Sequence, residues 1–311
     1  MFEKILLATD FSAYAKKTLD CIAGFPGARE VILFHVAEEA ISPHGGGEIG
    51  DTFLRAEHDL LEEQKRYLEN LGRDIRVTTA ITTASDTAGA IVDAAEKRGA
   101  CLIVMGARGS NLMEGILLGS VSTAVIRRSS TSVLIMRHKI VGDLKEKTYE
   151  MFCPRILCRV LCPVDFSPYS DHALAIAGAT TGIGEVILLH VVSQSKSEDD
   201  TQDPVEQAKV RLAAVQDDLA AKNIRTKMIV RTGTPAVGIT KVAEEEDASV
   251  IWMSSRSISW LGELLGGRTT HSVVMHAQRP VMIIRQLECR CPDPRFFHRN
   301  RIVPDQERSL L

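Results

Sequence analysis

The stretch with the most chemical content reads Met105-Gly106-Ala107-Arg108-Gly109, then nine residues, then Gly119-Ser120-Val121-Ser122. Two glycines three apart let a backbone take positive φ and approach an anion with no Cβ in the way. A Gly-Ser pair opening a helix presents unpaired N–H groups and the positive end of the helix dipole, which is where phosphate is received. Ser120 and Ser122 add hydroxyl donors, and Arg108 adds a cation for phosphate or a flat surface over a ribose. Two other points offer matching chemistry. Thr9 and Asp10, in Ala8-Thr9-Asp10, can hydrogen-bond an adenine edge or a ribose, and Val36 can line an apolar base slot. The sum is a site for a nucleotide polyphosphate.

Such residues need elements that bring them to one place. Apolar, β-branched runs predict strands near 3–9, 29–36, 74–81, 101–106 and 132–137. Helical spacing predicts helices near 12–24, 51–71, 86–98 and 119–128. The helix over 51–71 is the clearest, with Phe53, Leu54, His58, Leu60, Leu61, Tyr67 and Leu68 on its stripe and Asp51 as its cap. Strands alternating with helices imply right-handed βαβ units and a doubly wound α/β fold. In such a sheet ligands bind beyond the carboxyl ends of the strands, where strand order reverses, and all three chemical segments fall there.

The pattern occurs twice. Ile5–Ser12 recurs as Val160–Ser167 and Val31–Val36 as Val186–Val191, both displaced by 155 positions. Leu102–Met105 recurs as Val250–Met253 and Val133–Arg137 as Val281–Arg285, both displaced by 148. The first copy is thus seven residues longer, and Ile41–Gly47 is the expected insertion. This divides the chain into a first domain at 1–138, a polar connector at 139–155, a second domain at 156–286 and a tail at 287–311 without apolar period. The second copy reads Met253-Ser254-Ser255-Arg256-Ser257, nine residues, then Gly267-Arg268-Thr269-Thr270. Pro163, Val164, Asp165 and Val191 keep the base-side features. Serines replace both leading glycines, and Arg268 stands where the first copy has a helix-opening serine. Two readings stay open for this copy: lost binding, with a mainly structural role, or altered binding of a monophosphate by Arg256 and Arg268.

Composition narrows the partners. A net charge of −3 and a pI near 6.3 give no footprint for nucleic acid or an anionic membrane. No apolar run has the length of a membrane span, and Met1-Phe2-Glu3-Lys4 does not open a signal peptide, so a cytoplasmic protein is expected. The seven cysteines show no paired CxxC spacing. Cys21 and Cys101 read as core residues, and Cys153, Cys158, Cys162, Cys289 and Cys291 as free thiols rather than metal ligands. His35 and His190 read as core residues at strand ends, and Asp10 doubles as a cap for the first helix. There is no Walker lysine, no acid beside Asp10 at the mouth and no base to orient water. Binding with little or no turnover is therefore expected, with no catalytic residues and no metal site.

The glycine, two residues, glycine, nine residues, Gly-Ser arrangement resembles the nucleotide signature of the universal stress protein family. Thr9-Asp10-Phe11-Ser12, Phe34-His35-Val36 and Ile116-Leu117-Leu118-Gly119-Ser120-Val121 support the resemblance. It implies two tandem Rossmann-like domains, each a five-stranded parallel sheet of order 3-2-1-4-5 with helices on both faces. It implies an ATP ligand, with ADP or AMP as alternatives and Mg as an accompanying ion, and a role in stress tolerance or signalling. The family's nucleotide contacts carry over to Ala8, Thr9, Asp10, Val36, Met105, Gly106, Arg108, Gly109, Gly119, Ser120, Val121 and Ser122. In the second copy the aligned set is Pro163, Val164, Asp165, Val191, Met253, Arg256, Gly267 and Arg268. Family members pair through the last strand, so a tandem chain forms that pseudo-dimer internally, with a homodimer of chains as a further level. A slow ATPase and a nucleotide-free partner-binding scaffold are the competing functions.

Overall fold

Apolar side chains on both sides of every central strand require helices on both faces, and the computed structural model has that arrangement. It describes residues 2–37, 47–71, 74–108, 118–141, 148–150, 152, 155–193, 203–254 and 268–285. The first copy runs β1 (Lys4–Ala8), α1 (Ala13–Ala23), β2 (Glu30–Ala37), α2 (Gly47–Leu71), β3 (Arg76–Thr83), α3 (Thr87–Lys97), β4 (Leu102–Gly106), α4 (Ser120–Arg128) and β5 (Ser132–Met136). A short hairpin, β6 (Lys139–Val141) with β7 (Thr148–Glu150), follows. The second copy runs β8 (Arg159–Pro163), α5 (Pro168–Ala179), β9 (Glu185–Val192), α6 (Pro204–Ala220), β10 (Thr226–Thr232), α7 (Pro235–Glu245), β11 (Val250–Ser254), α8 (Arg268–His276) and β12 (Val281–Ile284).

The two five-stranded sheets form one. The strand order is β10-β9-β8-β11-β12-β5-β4-β1-β2-β3, parallel within each half and antiparallel where β12 meets β5. Each half therefore has the order 3-2-1-4-5. Alternation along β1 shows how the layers are filled. Ile5 and Leu7 enter the apolar cluster that includes α1 and α2, whereas Leu6 enters the one beneath α3 and α4. Both clusters continue into the second copy.

The halves are joined by more than the ladder. Met282 lies opposite Leu134 in the antiparallel pair, and both side chains are fully buried. The Phe2 ring sits 5.8 Å from Trp252, whose indole N–H donates to the Ala173 carbonyl. Two turns touch as well: a Cβ on Gly182, at φ +80°, would come within 2.6 Å of Pro26. Over the seam lies a reciprocal clasp. Arg137 donates to the Val274 carbonyl in the last turn of α8 (2.6 Å), and Arg285 donates to the Ile126 carbonyl in the last turn of α4. The arginines are separated by the same 148 positions as the carbonyls they reach, so each domain caps the other's last helix. Both guanidiniums are buried, which lowers their pKa values; Arg137, lowered to about 10, remains charged at neutral pH.

Several expectations shift. The second helix starts at Gly47, so Asp51 lies within it rather than capping it, and Leu60 is exposed rather than part of the buried stripe. The expected insertion at Ile41–Gly47 falls mostly outside the described residues, as does the tail at 287–311. Cys158 corrects the reading of free thiols, because it is disulfide-bonded. Cys21, Cys101 and Cys162 are free, and Cys153, Cys289 and Cys291 lie outside the described residues. A disulfide needs only two closely facing Cβ atoms, which spacing along the chain does not reveal.

Two predictions come from the seam. Arg137→Ala and Arg285→Ala should each lower unfolding free energy by about 2 kcal/mol, since each orphans a buried helix-end carbonyl. Chemical denaturation should find losses of similar size, and a silent variant would break the reciprocity. His138, packed edge-on against Tyr14 with a nitrogen 3.2 Å from Thr18 Oγ1, is held neutral by burial and by Lys17, its pKa lowered to about 4. The unfolded chain takes that proton near pH 6.5 and the folded one near 4. Stability should therefore fall as pH drops across that window, by on the order of 3 kcal/mol. His138→Gln should flatten that part of the pH–stability curve.

Candidate functional site

β1 lies between β2 and β4, so the sheet's direction of growth reverses at its carboxyl end, which is where sheets of this kind receive ligands. The tip of β1 is held from several sides. Ser12 caps α1 by accepting from Ala15 N at 3.1 Å. Asp10 is not the cap. Its Oδ1 accepts from Ser12 N (3.1 Å) and Ser12 Oγ (2.6 Å), which fixes the capping hydroxyl. Phe11 takes φ +62°, a left-handed turn that an L-residue adopts only where its surroundings enforce it. Thr9, 7% exposed, accepts from Phe11 N through Oγ1 at 3.2 Å and donates the same hydroxyl to Gln64 Oε1 at 2.9 Å.

His35 completes this corner. Its Nδ1 is 2.8 Å from the Thr9 carbonyl, and a carbonyl only accepts, so Nδ1 carries a proton. Nε2 then faces Glu57 Oε1 at 3.5 Å, and the ring stacks obliquely on Phe11 at 4.3 Å. Val36, half-buried, stands next in the strand. His35 thus serves as a structural post beneath the crevice.

On the other side, β4 ends at Met105, which is buried, and Gly106. Gly106 does not take positive φ, which corrects the expectation from sequence. A Cβ there would sit 3.0 Å from both the Arg108 carbonyl and the Tyr14 ring, so the glycine is required by packing. Tyr14 is in turn fixed by donating to the Met136 carbonyl at 2.9 Å. Gly119 returns the chain by donating to the Ala107 carbonyl at 2.8 Å, and it is the N-cap of α4 with no side chain to offer. The first-turn amides of Ser120, Val121 and Ser122 have no acceptor within the helix. They stand at its positive end, beside the tip of β4.

Ser122 Oγ donates to the Gly106 carbonyl at 2.9 Å, so its proton is committed to the frame, while Ser120 is exposed. Arg108 is half-buried, close enough to Arg137 to add to the lowering of that residue's pKa after burial itself. Gly109 lies outside the described residues. The described members of the predicted set, Ala8, Thr9, Asp10, Val36, Met105, Gly106, Arg108 and Gly119 to Ser122, lie at or just beyond the carboxyl ends of β1, β2 and β4 and at the start of α4. Among the described residues no group of three or more His, Cys, Asp or Glu could hold a metal ion.

The second copy keeps the frame. Asp165 accepts from Ser167 N and Oγ at 3.0 and 2.5 Å, Phe166 takes φ +58°, and His190 Nδ1 lies 2.7 Å from the Val164 carbonyl. Thr270 Oγ1 donates to the Ser254 carbonyl at 3.3 Å, as Ser122 does to Gly106. Pro163 and Val191 are half-buried, and Met253 is buried beside them. The contents of the crevice differ. Val164 replaces Thr9, the Arg211 guanidinium lies 3.9 Å over Phe166, and Arg268 heads α8 in the place of Ser120. Arg256 and Gly267 lie outside the described residues.

Sequence reasoning missed Glu57 and Gln64, and with them a second acid near the mouth. A signal was present. Residues 57, 61, 64 and 68 form one i, i+4, i+7, i+11 stripe, in which Glu57 precedes and Gln64 separates two fully buried leucines.

The model of the universal stress protein family matches residues 1–137 and 158–285. A universal stress protein of Methanocaldococcus jannaschii is 31% identical over 157 residues, 45% of this chain and 97% of its own. One from Bacillus subtilis is 30% identical over 149 residues, 44% of this chain and all of its own. Each matches a length close to one copy. A crystal structure of a universal stress protein from Archaeoglobus fulgidus matches 92% of this chain and 97% of its own, with TM-score 0.67 and 26% identity. The doubled Rossmann-like fold, the paired signature positions and these matches agree: the chain belongs to the universal stress protein family, as a tandem member.

Proposed function

We propose that the first domain binds one adenine nucleotide, ATP by preference with ADP and AMP as smaller occupants, and that binding rather than turnover is the event. The observation that carries this reading is the start of α4. A helix with a bare glycine cap begins beside the end of β4, at the crevice where the sheet reverses. The polyphosphate would lie on the amides of Ser120 to Ser122, with Arg108 on the approach. The base would lie between Val36 and the Thr9–Asp10 tip. Asp10 supplies an oxygen toward which Mg accompanying the phosphates could be drawn.

The slow-ATPase reading is less well supported, because no lysine or base stands at the described phosphate side. Glu57, the added acid, faces His35 on the base side. The second domain serves mainly as the structural partner. Val164, Arg211 and Arg268 favour lost binding there over a retained site. No helix among the described residues is long and apolar enough to cross a membrane. We infer a cytoplasmic location and a nucleotide-dependent stress or signalling role, a reading that kinship with the family supports. Any homodimer of chains must use a surface other than the edges of β5 and β12, which already pair with each other.

Mass spectrometry of material released on denaturing the purified protein should find adenine nucleotide, at up to about one per chain. Added ATP should bind with the same limit. Gly109→Val should weaken ATP by at least about tenfold with little change in melting temperature, the outcome expected if the glycine is there for the phosphates. Absence of adenine nucleotide in both measurements would overturn the reading. Sustained hydrolysis of many ATP per chain per minute would favour the enzyme instead.

A further inference from the structure

We infer that Gln64 is a positioning residue for the first-domain site, an inference that rests on the reading of that site as a nucleotide site. Gln64 touches no predicted ligand atom. It acts through Thr9, whose buried hydroxyl accepts from Phe11 N at 3.2 Å and donates to Gln64 Oε1 at 2.9 Å. The result is a directed chain from the left-handed turn, through the strand tip, to α2. Thr9 is held at its carbonyl by His35 and at its hydroxyl by Gln64. The slot between the tips of β1 and β2 is thereby given a fixed wall, and Asp10, next in the chain, a fixed height.

The molecule contains its own control. In α2 the inward stripe is Glu57, Leu61, Gln64, Leu68, with the leucines fully buried and the polar pair partly so. In α6 it is Ala208, Leu212, Val215, Leu219, aligned on the leucine pairs that are buried in both helices. Gln64 is therefore matched by Val215, and its partner Thr9 by Val164. Val164 is buried, and Val215 packs against the same apolar cluster. The turn forms without the polar pair. Phe166 still takes φ +58°, and Asp165 still holds Ser167. Folding of this corner does not require the Thr9–Gln64 bond, since two valines serve the same place. A polar pair within an apolar stripe is retained in the copy with the glycine–serine loop and is absent from the copy in which that loop carries serines and arginine. The pair follows the ligand chemistry, not the fold.

The test uses the full chain and ATP, measured by calorimetric titration with melting followed in parallel. Gln64→Val should weaken ATP by about tenfold, the effect of leaving one buried hydroxyl without its acceptor. Gln64→Glu keeps an oxygen at the same reach and should stay within about threefold of wild type. Thr9→Val/Gln64→Val reproduces the apolar pair of the second copy. It should melt no lower than wild type and still bind weakly, which keeps the test decisive if the single valine variant folds poorly. Wild-type affinity in either valine variant would overturn the inference, as would a Gln64→Glu loss equal to that of Gln64→Val. Failure of the wild-type chain to bind ATP would instead overturn the functional reading, and this inference with it.

Discussion

The antiparallel meeting of β5 and β12 is the constraint on which the rest of the molecule depends. Two half-sheets, each with one exposed apolar edge, would be poor separate domains, because an unpaired edge strand is a template for further pairing. Joined, they make one sheet of ten strands in which Val133, Leu134, Ile135, Met282 and Ile283 are all fully buried. Each such side chain contributes roughly 1.5–3 kcal/mol relative to exposure. The reciprocal arginines then fix the angle of the join. A guanidinium brings charge into a buried seam, which costs free energy, and the carboxyl ends of α4 and α8 offset that cost with oriented carbonyls.

That join also explains why a degenerate second copy is retained. α4 has two ends with different tasks. Its amino end stands at the crevice of the first domain, and its carboxyl end is held by Arg285 from the second. Loss of the second domain would leave that last turn without its partner and β5 with β4 alone, its outer edge unpaired. A domain can therefore lose its own signature and still be required for the geometry of the other, because the shared seam selects for shape rather than for ligand contacts.

Much of this was legible in the sequence, for a physical reason. Strands buried on both faces must be apolar throughout, so β1, β4 and β5 stand out as short continuous runs, and their recurrence at fixed displacement gives the duplication. The helix starts near 12 and 86 were legible from the apolar period, but the caps themselves were not: Asp10 was the expected cap of α1, and Ser12 takes that place. The start of α2 was not, because Asp51 has cap chemistry but lies inside a helix that continues upstream. Gly106 was assigned the wrong reason. A glycine in a motif suggests special backbone angles, yet the demand on it comes from Tyr14, 92 positions away in sequence, and contacts at that range leave no local trace.

The corner at Thr9 shows what separates a scaffold from a site. Both copies build the same left-handed phenylalanine, the same aspartate holding the capping serine and the same histidine beneath the strand tip. Those features therefore belong to the fold and are uninformative about ligand. The informative positions are the ones that differ while the frame stays fixed: Thr9 against Val164, Gln64 against Val215, Glu57 against Ala208, Ser120 against Arg268. In the first copy these positions are polar, with Thr9 bonded to Gln64 and Glu57 facing His35, and in the second they are apolar or cationic. In a duplicated protein the second copy thus serves as an internal reference, and subtracting it from the first leaves the residues whose presence the fold alone does not explain.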